Sequence, residues 1–395
     1  MKKKIIIMTD ISFTKRDYKR FGISNLRKKF NVFIFDFTKN FSKKLAGFKY
    51  SQKTYKCKGY YSIKSIPSFI EFVEKHNFSN SINYMSNKPL IHRLTKILKK
   101  NNIPLIKIQN GLVIDPTDPR SFMQNIHIFI LKLTSKKKFL TFIVSQITKL
   151  RNRFIKKKPN FFFDKIVVTG KTGIKDPDIG KNTKIIYAHS YDYDNYLKNN
   201  KLPKLNIKKP YAVFLDQNIP FVADGLIFPG MVPVPRCTSE KYYPALNNFF
   251  NTFEKNFNMK VIVCAHPKSD YESNKNYLYG RKFIKNKTIN LVKDSKIVFA
   301  HCSTAITYAV IYKKPLVFLL SNEYIRSFDN YTPSVIAKKL NSPYFNIDDK
   351  NNDSKIQKIN LFKIDKIKYK LYKDDYIKYP SRSHKKLWEI FNEKI

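Results

Sequence analysis

Cysteine is scarce in this chain: four in 395 residues, Cys57, Cys237, Cys264 and Cys302, with no CxxC pair among them. That pattern excludes a disulfide framework and a thiolate zinc site, and it suits a reducing cytosol. Long apolar runs are missing as well. No stretch of 18 or more apolar residues occurs, so nothing is expected to span a bilayer. The start, "MKKKIIIMTDIS", has a basic flank but an apolar run of only Ile5 to Met8 before Asp10, too short for a signal peptide. Acidic residues are few, 29 against 76 basic ones, which leaves a net charge of +47. Arginine is rare among the basic residues, 11 of the 76. Base readout relies on the arginine fork, and no zinc knuckle, RRM signature or basic zipper is present, so nucleic acid is not the expected partner. The lysine excess is accompanied by abundant Asn, Ile, Tyr and Phe, as a coding bias toward A and T would give. Part of the charge is therefore expected on solvated faces.

What is present reads as two α/β domains. A chain of 395 residues exceeds the usual size of one core, and a 43% hydrophobic content suffices to fill two. The apolar run Ile5 to Met8, a helix around residues 15 to 29 and "NVFIFDF" at 31 to 37 have the spacing of a βαβ unit. "SINYMSN", the basic helix "LIHRLTKILKKNN" and "IPLIKIQNG" repeat the alternation, and "KIVVTG" and "TKIIYAHS" add two further strands. "KNNKLPKLNIKKP", 198 to 210, has the composition of a linker. After it come "YAVFLDQ", an amphipathic helix over 240 to 257, "KVIVCAHP", "KIVFAHCST", the helix "AITYAVIYKK" and "PLVFLLS". The expected division is residues 1 to 205, 206 to 380, and a terminal helix at 381 to 395 that carries the only Trp.

Residues 120 to 163 interrupt this rhythm. Phe139, Ile143, Ile147, Leu150 and Phe154 fall near helical spacing, with lysines and arginines around them. Such a segment either packs its stripe on the core with lysines in water or lies on an anionic lipid surface.

Three loops of the second half carry polar residues straight after apolar runs: Asp216 and Gln217, His266 to Asp270, and His301 to Thr304. In doubly wound sheets, ligands sit beyond the carboxyl ends of the strands, where such loops converge. Ser303 and Thr304 stand where a strand gives way to a helix, as caps or as phosphate ligands. His266 either is structural or serves the same anion, donating to a phosphate oxygen or acting as general acid to a departing phosphate. Pro267 holds His266 extended. "YAHSYDYDNYL", 187 to 197, groups His189, Asp192 and Asp194, but too loosely for a metal site, and reads as a hinge or a cleft rim.

"AHP" followed by a downstream "HCST" resembles the His-Pro and Ser-Ser/Thr motifs of bacterial sialyltransferase-like enzymes and related capsule and lipopolysaccharide glycosyltransferases. "VFLDQNIPF" is similar to the loop that opens their nucleotide domain. The resemblance covers roughly residues 205 to 325. It implies an α/β chain of two facing Rossmann-like domains, the GT-B arrangement, with the C-terminal helix crossing back, and the donor on the second domain. It also implies that His266, Pro267, Lys268, Ser303 and Thr304 surround the donor phosphate, that Gln217 lies near the nucleotide, and that no catalytic metal or cofactor is needed. The paired-acid-Gly motif that supplies a base in those enzymes has no counterpart in the first half; the nearest string, "ADG" at 223 to 225, is in the second. An acceptor hydroxyl needs a carboxylate within reach. Asp10, just past the first strand, is the candidate base, with Asp36 and Asp216 in reserve; a turn or N-cap aspartate is the other reading of Asp10.

The expected activity is thus transfer of a nonulosonic or Kdo-type acid from a CMP-linked donor to a surface glycan or lipid-linked acceptor. The expected location is cytoplasmic, at the anionic inner-membrane surface. A UDP-sugar 2-epimerase or CDP-polyol phosphotransferase of the same fold is the alternative, and a non-catalytic binder of anionic glycan or nucleic acid is the alternative of another class.

Overall fold

The computed structural model describes residues 2–38, 54–85, 88–109, 162–176, 178–198, 205–207, 210–221, 237–267, 269–325, 332–380 and 385–395. The basic stripe within 120 to 163, up to residue 161, and most of the linker lie outside them, as does Lys268. The chain forms two compact units. One draws its described residues from Met1–Leu112, Lys156–Asp194 and Lys378–Ile395, the other from Asn195–Ile377.

The first unit holds a seven-stranded sheet of β1 (Lys3–Thr9), β2 (Phe30–Asp36), β3 (Tyr60–Ser62), β4 (Asn80–Asn83), β5 (Leu105–Ile108), β6 (Lys165–Thr169) and β7 (Lys184–Ala188). The second holds six strands: β8 (Tyr211–Leu215), β9 (Lys260–Ala265), β10 (Phe283–Lys285), β11 (Ile297–Ala300), β12 (Leu316–Leu320) and β13 (Tyr344–Asn346). The orders are β3-β2-β1-β4-β5-β6-β7 and β10-β9-β8-β11-β12-β13. Every pairing between these strands is parallel. Each sheet therefore starts in its middle, grows outward on one side and then crosses to the other, the Rossmann order. Two Rossmann-like units are the fold class that the sequence implied.

Unbroken apolar runs become strands here because helices bury both sheet faces. In β1, Ile5 and Ile7 enter one core with Phe13, Leu26 and Trp388, while Ile6 and Met8 enter another with Phe35, Phe69 and Leu94. Single aliphatic side chains buried this way each contribute about 1.5–3 kcal/mol. The terminal helix Leu387–Lys394 belongs to the first unit, where Leu387, Trp388, Ile390 and Phe391 are buried.

One expected element is divided. The helix read over 15 to 29 is two helices, Lys15–Arg20 and Ile23–Lys29, separated at Gly22 with φ +60°. A side chain there would collide with the Trp388 indole, so glycine is required by both conformation and space. Among the described residues, no helix is long and apolar enough to cross a membrane.

Candidate functional site

The central strand of the second sheet, β8, has β9 on one side and β11 on the other. Leu215 pairs with Cys264 and with Ala300, so the three strands end side by side and their following loops are neighbours. β9 and β11 are two strand spacings apart, about 10 Å. The point where strand order reverses lies between β8 and β11, and such a reversal leaves a crevice at the carboxyl ends. The sequence-predicted loops, with Asp216 and Gln217, His266, and Ser303 and Thr304, all stand at that edge.

Two side chains of the middle loop fasten the outer two. Asp216 is buried, and its Oδ2 accepts from the His266 backbone N–H at 3.0 Å and from the Tyr271 hydroxyl at 3.0 Å. Its Oδ1 accepts from the Asn218 N–H at 2.7 Å, a turn that Asn218 completes in the left-handed region with φ 49°. Burial pushes the Asp216 carboxyl above the ordinary carboxylate range, partly offset by the hydrogen bonds from His266, Asn218 and Tyr271. Expected as a reserve base, Asp216 instead has both oxygens engaged within its own framework. The Gln217 amide donates to the Cys302 carbonyl at 2.5 Å and accepts from the Cys302 N–H at 2.6 Å. It braces the β11 loop through both backbone groups of one residue.

His266 is half-buried and Pro267 is exposed. The His266 carbonyl accepts from the Ser269 N–H at 2.9 Å and from its hydroxyl at 2.8 Å. The loop is thus secured through the histidine's backbone, and those bonds do not depend on its imidazole. Tyr271 extends the network, its hydroxyl lying 3.1 Å from that of Tyr243.

In the β11 loop, the helix begins later than expected, at Ile306, with Ala305 as its N-cap residue. Ser303 is half-buried and Thr304 exposed, and the Ser303 hydroxyl accepts from the Ala305 N–H at 3.2 Å. Both residues therefore belong to the turn before the helix. His301, which opens the motif, is fully buried beneath it. Its Nδ1 lies 2.6 Å from the Leu319 carbonyl, which can only accept, so that nitrogen carries the proton. The Nε2 then accepts from the Tyr242 hydroxyl at 2.7 Å. Burial pushes the His301 pKa down to about 4, against the effect of the Leu319 carbonyl. Sequence reading grouped His301 with the ligand residues. The structure makes it a neutral support for the turn above it; of the two tyrosines that sequence reading left out, Tyr242, which donates to His301, comes from the helix Ser239–Phe257, and Tyr271, which donates to Asp216, comes from the loop after β9.

The chain shares its fold with a UDP-GlcNAc 2-epimerase. That enzyme, from Methanocaldococcus jannaschii, is 13% identical, with 99% of each chain covered and a TM-score of 0.52. A wall teichoic acid polymerase variant is 14% identical at a TM-score of 0.48, over 99% of this chain and 89% of that one. The calicheamicin glycosyltransferase CalG4 is 8% identical at 0.48, over 94% and 92%. Of the three scores, only the epimerase's exceeds 0.5, and at its identity it establishes architecture alone. No protein-family model and no curated protein matches the sequence.

The remaining predicted residues lie in the first unit. Asp10 is buried at the end of β1, which is flanked by β2 and β4 at that unit's own strand-order reversal. Asp36, by contrast, has an architectural role: its Oδ2 accepts from the Phe13 N–H at 3.1 Å and the Tyr60 hydroxyl at 2.9 Å, and its Oδ1 from the Thr38 N–H at 2.9 Å. The segment read as a hinge or cleft rim receives the returning chain end. The His189 Nε2 is 2.9 Å from the Lys385 carbonyl, and Asp194 Oδ1 accepts from the Leu387 N–H at 2.7 Å.

Proposed function

We propose that the chain is a nucleotide-sugar enzyme that transfers a sugar from an activated donor to a glycan or lipid-linked acceptor. The carrying observation is the convergence of the β8, β9 and β11 loops, fastened by Asp216 and Gln217, at the strand-order reversal of the second unit. In this reading the donor's phosphate occupies the gap between the loops. The His266 imidazole donates a proton or hydrogen bond to the phosphate as the sugar–oxygen bond breaks, and the Ser303 and Thr304 hydroxyls and nearby N–H groups stabilise its charge. Asp10 is the base assigned to the acceptor hydroxyl, while Asp216 and Gln217 are positioning residues. The resemblance of "AHP" and "HCST" to sialyltransferase-like motifs favours a CMP-linked nonulosonic or Kdo-type donor.

A second reading is an epimerase acting on a UDP-sugar. It is favoured by the fold shared with the Methanocaldococcus jannaschii UDP-GlcNAc 2-epimerase over 99% of both chains.

Thermal melting at fixed salt with CMP, CDP, UDP, GDP and ADP separates the readings, because a ligand that binds only the folded state adds about 2.7 kcal/mol at a hundred times its Kd. CMP is expected to raise the melting temperature of the wild type and to do so far less in His266→Ala. Since the bonds through the His266 backbone are retained, the variant is expected to stay folded, and its shift is read against its own melting temperature without nucleotide. A shift with UDP alone transfers the assignment to the epimerase, and no shift with any nucleotide removes both enzyme readings.

A further inference from the structure

The helix Lys366–Tyr372 of the second unit has an unusual outward face. Its sequence, KIKYKLY, places Tyr369 and Tyr372 three residues apart and both are buried, with the Tyr369 hydroxyl donating to the Lys314 carbonyl at 2.9 Å. These two residues fix which side faces the protein. Ile367 and Leu371, four residues apart, then share the opposite side, and they are 72% and 47% exposed. Lys366 and Lys370 flank them on one side of the helix and Lys368 on the other, all exposed. The helix Thr332–Leu340, on which this one packs, adds exposed Lys338 and Lys339. Acidic residues stand only at the ends: Asp365 caps the helix by accepting from the Lys368 N–H at 3.0 Å, and Asp374 and Asp375 follow it.

Single exposed aliphatic side chains are ordinary on protein surfaces; an aliphatic pair centred between lysines is a more specific combination. We propose that this face docks on an anionic lipid bilayer, Ile367 and Leu371 entering the interface while the lysines lie among the headgroups. Charge complementarity and side-chain type select that partner. Nucleic-acid surfaces use arginine forks and aromatic stacking, whereas here the apolar groups are aliphatic and every cation is a lysine. The docking depends on none of the chemistry assigned to the β8–β9–β11 crevice.

Co-flotation of the full chain with vesicles tests the proposal, using phosphatidylcholine alone and phosphatidylcholine with about one-third phosphatidylglycerol, at physiological salt. The wild type is expected to float with the anionic vesicles and not with the neutral ones. Ile367→Ser with Leu371→Ser is expected to weaken partitioning by about tenfold. Lys366→Gln, Lys368→Gln and Lys370→Gln together are expected to weaken it by about a hundredfold, each lysine at an anionic surface contributing about fivefold. These positions are exposed, so melting temperatures should be unchanged. The proposal is overturned if the wild type fails to float, if it floats equally with neutral vesicles, or if the variants float like the wild type. It is equally overturned if light scattering without lipid shows that Ile367→Ser with Leu371→Ser turns an oligomer into a monomer, since the face would then be a self-contact.

Discussion

His301 illustrates how a residue beside a candidate site acts without touching a ligand. Its folded pKa of about 4 lies below the ordinary 6.5, so between these values the unfolded chain binds a proton that the folded chain does not. Stability from the neutral imidazole is complete above pH 6.5 and is lost as pH falls toward 4, by about 3 kcal/mol in all. His301→Phe removes the titration but also the hydrogen bonds to the Tyr242 hydroxyl and the Leu319 carbonyl, costing about 2 kcal/mol at neutral pH. In urea unfolding, the gap between wild type and variant is therefore expected to narrow from pH 7 to pH 5; a constant gap would mean that His301 is not held neutral. The position of His301 in a polar loop was legible in the sequence. Its burial was not, because the hydroxyl that receives it comes from Tyr242, 59 residues earlier, and no local pattern records that pairing.

Among the elements, the middle loop sets the geometry of the other two, and Gln217 is its most testable member. Gln217→Ala loses both bonds to the Cys302 backbone and is expected to lower stability by about 1–2 kcal/mol. If the β11 loop holds donor phosphate, the same change should weaken nucleotide affinity by about tenfold, a loss of 1.4 kcal/mol. Gln217→Glu keeps the acceptor for the Cys302 N–H but sets a carboxylate against its carbonyl and beside the phosphate, so it should bind nucleotide more weakly still. Melting curves with and without nucleotide measure both effects, and equal affinity in all three proteins would separate the brace from the binding site. Strands such as β8, buried throughout, and β9, buried after Lys260, were readable because both faces demand apolar residues. β3, β10 and β13 have three residues each and are half-buried or exposed at most positions, too short for a period to show. The break at Gly22 was missed because a tertiary contact, the Trp388 indole, sets it, and the helix start at Ile306 because a local turn from Ser303 to Ala305 precedes it.

For the whole molecule, the alternation of strand and helix was enough to give two α/β units; the crossing back of the C-terminal helix, which the structure bears out, was implied by the resemblance and not by the alternation. A terminal amphipathic helix announces an apolar face and not what covers it. The structure returns that helix to the first unit, where Leu387, Trp388, Ile390 and Phe391 join Ile23, Leu26 and Phe30 in one core. Removing residues 378–395 would strip four large apolar side chains from that core, each worth about 2–5 kcal/mol by analogy with truncation to Ala, against a total stability of about 5–15 kcal/mol for a domain. The first unit is therefore expected to unfold while the second retains its own cooperative transition. Trp388 is the only Trp, so in the full chain its emission follows the first unit alone, and circular dichroism follows both. In calorimetry the truncated chain should show a single transition that still moves with the nucleotide chosen by the wild type. If both transitions survive truncation, the first unit's core stands without the returning helix; if none survives, the two units fold as one.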